Sequence, residues 1–436
     1  MTLSKAMKSG LWREKLSKLG FPLWLLCVLI FSFQLFENFP FARTAHLVEI
    51  PVLFFLSLFA VVYYGRRVYE KRSFSPAEIL LACLLCLPFI SAISSWMSFD
   101  QPILTGFLAD RRWFRAIAGL FVFQLLISQR ISWKLLHRTF LILAFGSLLV
   151  YLSMWMFLDP NSLAGGFFFV EVPSKGMRLR IVPVFVIWGA IYFVLGWLRS
   201  SIAKPRFAAA AVAVFMVGYV VFIYKSRATI LVLAAVLVLM IVMKAETGRR
   251  IRTLVILSLL TVVVVGGMWA VRPGKVQRQL SGFTAIASSL YRGDGEIDAS
   301  LANRLSQGTV AWWSISRSVR SLLFGNGRLS RRWGGEPKED FGHFYPVDIG
   351  WLGIIFLYGF LGLVLVNVAF LMAWKFSREK QCENNDVFLE SLQWWLVYLF
   401  FRSILNAVVV ANPSLVIVPL FLIYWRCQQS AEESKL

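Results

Sequence analysis

Asp348 stands eleven residues before Gly359 in the stretch His343-Phe-Tyr-Pro-Val-Asp-Ile-Gly-Trp-Leu-Gly-Ile-Ile-Phe-Leu-Tyr-Gly-Phe-Leu-Gly362, where a polar segment runs into an apolar one. A carboxylate at a membrane edge is costly unless it has a partner or a task. Two tasks fit: a general base toward a hydroxyl, or a carboxylate that orients a sugar. Two structural roles fit as well, an N-cap for the helix after Pro346 and an ion pair with a neighbouring arginine. His343, five residues earlier, is either a base or a hydrogen-bonded loop residue.

Arginine supplies the complementary chemistry. Arg178 and Arg180 open an apolar run, Lys225-Ser-Arg227 joins two apolar runs with almost no loop, and Arg304 lies in the polar segment before His343. A guanidinium matches phosphate oxygens in shape and stays charged at any physiological pH. The alternative is that these side chains snorkel to phospholipid headgroups. For Arg227 the near absence of a loop points the side chain at the protein or the bilayer surface. Arg402 sits well inside an apolar run with Asn406 one turn later. Such a residue pairs with a carboxylate, Asp348 or Glu390 here, or lines a cavity.

Other chemistries lack their residues. The sequence has no phosphate-binding glycine loop, no dinucleotide fingerprint, no zinc pattern and no HExxH, and its acidic residues do not cluster. The expectation is metal-independent chemistry without a cofactor. Cys83-x-x-Cys86 has no histidine nearby and no second pair, so the five cysteines are read as packing residues and no disulfide is expected.

The elements that position these groups follow from hydropathy. The chain is 58% hydrophobic and 16% aromatic over 436 residues, and apolar runs of spanning length recur along it. Seventeen Trp and twelve Tyr suit many membrane–water interfaces. This composition predicts an all-α polytopic membrane protein forming a single membrane domain, 1–436. Twelve helices are expected near 21–37, 47–64, 77–97, 113–128, 139–157, 181–198, 207–224, 228–243, 253–271, 347–374, 389–411 and 413–425. The basic residues before the first run resemble a signal peptide without a cleavage site, so that run is expected to be a retained span.

The net charge of +22 could suggest nucleic acid, but the Lys and Arg sit mainly in short segments between apolar runs. Of those in the short segments twenty-four fall on one side and nine on the other, the long segment 272–346 being exempt, which predicts both termini cytoplasmic and no nucleic-acid partner. The segment 272–346, between the ninth and tenth runs, then lies on the outer face. Leu301, Leu305, Trp312, Ile315, Val319 and Leu322 recur there at helical spacing, predicting an amphipathic helix near 300–324 on the bilayer surface. Its Arg304, Arg317 and Arg320 would face headgroups or substrate, and Gly325-Asn326-Gly327 would stop it. A second outer segment, near 158–180, is long enough to fold over a site.

Arg227 in Lys-Ser-Arg-Ala-Thr, Arg304 followed by Trp312, Trp313 and Leu323-Phe-Gly-Asn-Gly327, and Asp348-Ile-Gly-Trp-Leu352 with Gly359 and Gly362 resemble the motifs of the O-antigen ligase/polymerase superfamily. The resemblance extends to twelve spans and a large outer loop between spans nine and ten. It implies a membrane glycosyltransferase related to the GT-C class, in a bacterial inner membrane, with its active site on the periplasmic face. The implied substrate is an oligosaccharide on undecaprenyl diphosphate, with membrane lipid and a chain-length regulator protein as further partners. Arg178, Arg180, Arg227, Arg304 and Arg402 would hold the diphosphate, and Asp348 or His343 would act on the acceptor hydroxyl. Ligases of this family begin the last motif with His-Asn, where this chain has Asp348-Ile349. Polymerases more often carry Asp in that region, so the resemblance implies a polymerase of O-antigen or exopolysaccharide. The alternatives are a ligase that moves glycan onto lipid A core or protein and, in another class, a lipid-linked saccharide transporter.

Overall fold

The computed structural model describes residues 22–35, 42–157, 169–172, 176–179, 182–200, 202–244, 299–330, 333, 344–378 and 386–433. The helices are α1 (Pro22–Ser32), α2 (Ala42–Tyr69), α3 (Pro76–Phe99), α4 (Ile103–Ala109), α5 (Ile117–Ile127) and α6 (Trp133–Phe157). They continue as α7 (Val184–Arg199), α8 (Ala203–Tyr219), α9 (Arg227–Lys244), α10 (Ala299–Ser316) and α11 (Val319–Phe324). The last are α12 (Gly350–Arg378), α13 (Val387–Leu405), α14 (Val408–Ala411) and α15 (Ser414–Glu433). Among the described residues six helices are long and apolar enough to cross a membrane: those of Glu49–Tyr69, Pro76–Phe99, Trp133–Phe157, Pro205–Tyr224, Arg227–Lys244 and Pro346–Arg378. The expected run 253–271 lies outside the described residues.

Beside the helices stands one small antiparallel hairpin, β1 (Phe169–Val172) with β2 (Gly176–Leu179), inside the segment expected to fold over the site. The helix expected near 300–324 is two helices, because Ser318 is extended (φ −150°, ψ 148°) and caps α11 by accepting from the Ser321 amide at 3.1 Å. The run expected at 389–411 is also two, α13 and α14, parted at Asn406 and Ala407. A further difference concerns cysteine: Cys427 is disulfide-bonded, whereas Cys27, Cys83 and Cys86 are free, so its partner lies outside the described residues.

Aromatic packing ties the helices together where lipid provides no hydrophobic drive between them. Phe33, Phe140, Phe185, Trp188, Phe388 and Trp395 are all fully or almost fully buried and touch ring to ring across α6, α7 and α13. Three buried carboxylates are each neutralised by a cation from another element: Glu49 by Arg115, Glu78 by Arg67, and Glu390 by Arg199 and Lys244. Glu78 also closes a capping box with Ser75 that starts α3, with Pro76 at its first position.

The feature that shapes the site is a break in α12. Gly359 has φ 66° and ψ −169°, a conformation open essentially to glycine alone. A break there frees the carbonyls of the preceding turn, which a continuous helix would satisfy four residues on. The loop after α11 supplies the missing donors: the Asn326 N–H bonds to Phe356 O at 2.7 Å and the Gly327 N–H to Leu357 O at 3.2 Å. Gly325 (φ 77°) and Gly359 face each other so closely that a Cβ on either would overlap the other's chain.

Candidate functional site

Asp348 lies in a 3₁₀ turn, Pro346–Ile349, rather than at the start of the long helix. Gly350 (φ 60°) separates the turn from α12, so the expected N-cap role is not the one it takes. Its Oδ1 accepts from Asn406 Nδ2 at 3.0 Å, and beside it the Ala407 N–H bonds to Val347 O at 2.8 Å. The side chain is half-buried. Among the described residues no arginine or lysine makes an ion pair with it, unlike Glu49, Glu78 and Glu390.

Arg402 occupies the last turn of α13, one turn before Asn406, and is 8% exposed. Neither expected ion pair forms. Glu390 is twelve residues back on the same helix, about 18 Å away at 1.5 Å per residue, and there it meets Arg199 and Lys244. Asp348 takes the amide of Asn406 instead. The helix α13 packs against α9, which carries Thr229, and one turn after Tyr398 on its face stands Arg402. Its Nη1 is buried and has no partner among the described residues.

Thr229 leads to the next arginine, because its Oγ1 donates to Ser226 Oγ at 3.0 Å. Ser226 lies between Lys225 and Arg227, where α9 begins after a π-turn at Val220–Tyr224. Lys225 takes the left-handed conformation (φ 56°) that lets α8 and α9 meet with no longer loop. A helix N-terminus carries partial positive charge and favours anions. Lys225 and Arg227 both stand at this end of α9, against that preference.

Arg304 comes from α10, one turn before Gln307 on the same face. Gln307 Oε1 accepts from the Tyr345 N–H at 3.2 Å, and Tyr345 in turn receives the Asp348 N–H at 2.9 Å. Bonded neighbours thus lead from Gln307, one turn after Arg304, through Tyr345 to Asp348, and from Asp348 through Asn406 to Arg402, whose O accepts from the Asn406 N–H at 2.9 Å. Arg178 lies on β2, paired with Val170 across the hairpin, and β2 rests on the π-turn that precedes Lys225. Arg180 and His343 lie outside the described residues. Among the described residues no three His, Cys, Asp or Glu side chains lie close enough together to hold a metal ion.

Two neighbouring features were not anticipated. One is an apolar groove of about 580 Å³ between α6 and α8, lined by Leu152, Trp155, Phe207, Phe215, Tyr219 and Phe222 among others. Its Tyr219, Phe222 and Ile223 end belongs to the turn leading into Lys225. The other is a buried polar assembly beneath the loop 324–330. Ser91, Ser94, Ser95 and Ser98 recur at i, i+3, i+4 and i+7 on one face of α3. Ser91 Oγ accepts from the Arg328 N–H at 3.0 Å, and Ser98 Oγ donates to Asn326 Oδ1 at 3.3 Å. The fully buried Gln101 bonds Ser95, Arg328 O and the Ser330 N–H. Asp110, also fully buried, accepts from Tyr358 Oη at 2.8 Å and from Arg328 Nη1 at 3.2 Å, and Trp113 Nε1 donates to Tyr358 Oη at 2.9 Å. Burial works against the Arg328 charge, but Asp110 and Tyr358 outweigh it and hold the guanidinium above its ordinary pKa. The serine spacing on α3 was the signal available in the sequence for this assembly.

No protein-family model matches this chain, and no curated protein matches it.

Proposed function

We propose that this chain is a bacterial inner-membrane glycosyltransferase that polymerises a surface polysaccharide, O-antigen or exopolysaccharide, from repeat units carried on undecaprenyl diphosphate. The observation that carries the reading is Arg402: a buried arginine with no carboxylate partner among the described residues, on a helix packed against the one that starts at Arg227, and next to Asp348 through Asn406. A buried cation without a countercharge favours an anionic ligand, and a diphosphate is the anion a guanidinium cluster suits best.

In this reaction the acceptor hydroxyl of one lipid-linked unit attacks the anomeric carbon of a second saccharide. The bond from that carbon to the diphosphate oxygen breaks, and undecaprenyl diphosphate leaves with the electron pair. Asp348 orients the hydroxyl and takes its proton, since its second oxygen is not committed to Asn406. Arg227, Arg304 and Arg402, with Arg178 and Arg180 from the hairpin segment, stabilise the charge growing on the leaving diphosphate. His343 is the other candidate base. The groove beside Tyr219 and Phe222 takes part of the polyprenyl tail. The leaving diphosphate makes nucleotide sugar and metal unnecessary. Twelve spans, cytoplasmic termini and a periplasmic site belong to the same proposal, as does a chain-length regulator as partner.

A surface-glycan gel of a deletion strain tests this. Single-repeat products in place of long chains support the polymerase. Undecorated core with long lipid-linked chains accumulating would mean a ligase, and loss of lipid-linked units from the outer face would mean a transporter.

A further inference from the structure

The segment Gly350–Tyr358, between the 3₁₀ turn that carries Asp348 and the break at Gly359, is a short rigid lever. Its far end is held by Tyr358, whose hydroxyl donates to Asp110, accepts from Trp113 and shares Asp110 with Arg328. Its near end packs against the 3₁₀ turn that carries Asp348, so closely that a Cβ at Gly353 would overlap Pro346 O. We infer that Asp110, Arg328 and Tyr358 form a buried clamp that acts as a set of positioning residues for Asp348, fixing the tilt of this half-helix and so the place of the carboxylate.

Three observations converge on this. Asp110 is fully buried and lies far from Asp348 in sequence, yet its Oδ1 gathers both a phenol and a guanidinium at the helix break. The broken turn is braced from outside, because Phe356 O and Leu357 O accept from the loop that Arg328 anchors. That loop is fastened on its other side to the serine face of α3 and to Gln101, so the clamp grips the half-helix against a fixed support. The geometry gives the leverage. Eight residue steps from Tyr358 to Gly350 span about 12 Å, so a 10° tilt at the clamp moves the Asp348 end by roughly 2 Å. A displacement of about 1 Å in a reacting group can cost on the order of 100-fold in rate.

The rate arm of this inference rests on the polymerase reading; the structural arm does not. The test compares the full chain in lipid nanodiscs with Tyr358→Phe, which keeps the ring and the Asp110–Arg328 pair, and with Arg328→Gln and Arg328→Lys. Hydrogen exchange is followed in peptides covering Asn326–Gly327 and Gly350–Tyr358, with α13 as internal control. Polymer synthesis from lipid-linked repeat units is measured on the same samples. The clamp predicts at least tenfold faster exchange of the Asn326 and Gly327 amides in Tyr358→Phe and Arg328→Gln, with α13 unchanged. It predicts recovery of most of that protection in Arg328→Lys. It also predicts that kcat falls at least tenfold in Tyr358→Phe while KM stays within about twofold, because the arginines that hold the diphosphate are untouched. Unchanged exchange in Tyr358→Phe overturns the clamp, and lost protection with kcat unchanged overturns its positioning role. If the unaltered protein makes no polymer, the polymerase reading fails, while the exchange data still decide whether the clamp exists.

Discussion

Replacing Gly359 by alanine should unfold the region that carries the site, and the size of the effect follows from three local terms. The backbone at φ 66° and ψ −169° costs an L-residue about 1–3 kcal/mol. An added Cβ would overlap the Leu323 carbonyl and the Phe324 amide, so the loop has to back away from α12. Backing away breaks the Asn326 N–H to Phe356 O and Gly327 N–H to Leu357 O bonds. Each loss leaves buried backbone groups unsatisfied at about 1–3 kcal/mol. The sum, about 3–9 kcal/mol, is a large share of the 5–15 kcal/mol that typically holds a folded protein together. Gly146→Ala is the matched control, since nothing lies within 4 Å of a Cβ there and the residue sits within α6. It should be neutral or stabilising by up to about 1 kcal/mol. Tryptophan-fluorescence melts of the two variants in detergent, with size-exclusion profiles, report the difference. A Gly359→Ala protein that melts within about 2 °C of the unaltered chain would refute the broken-helix account.

Two arginines separate function from structure. Arg402→Gln should lower kcat/KM on the order of 10²–10³-fold while leaving the melting midpoint unchanged or raised, because no carboxylate is orphaned. Arg115→Gln strips the guanidinium from buried Glu49 and should cost about 3–5 kcal/mol in the same melts. Gly218→Phe fills the groove from a position with open space around its Cβ, and should raise KM for long polyprenyl donors more than for short-chain analogues in initial-rate assays. Asp348→Asn can keep an oxygen toward Asn406, so it should melt normally and yet form polymer at least about 100-fold more slowly. Full activity would make Asp348 a structural residue.

Much of the helical framework was legible, since α3, α6, α8, α9 and α12 start or end within a few residues of the runs read from hydropathy. What escaped was set by contacts distant in sequence. Gly359 looks like any small residue in an apolar run, and only the loop from 325–327 pressing on it makes the break favourable. Asp348 follows a proline and precedes a helix, as an N-cap would, but the positive φ of Gly350 detaches it from that helix. The stripe read on 300–324 divides in three dimensions: Ile315 is buried, while Leu305 and Trp312 are more than half exposed. Asp110 gave no local hint, because its partners lie more than two hundred residues away. Arg402 was legible as a charge inside an apolar run, but its lack of a carboxylate partner among the described residues was not.

The most direct test of the central claim is polymer formation by the purified chain in nanodiscs, given only repeat units on undecaprenyl diphosphate, with no nucleotide sugar and no metal. Saccharides longer than one repeat, with release of undecaprenyl diphosphate and loss of both in Arg402→Gln, are predicted. Donor left intact by the folded protein, or equal product from Arg402→Gln, would contradict the account.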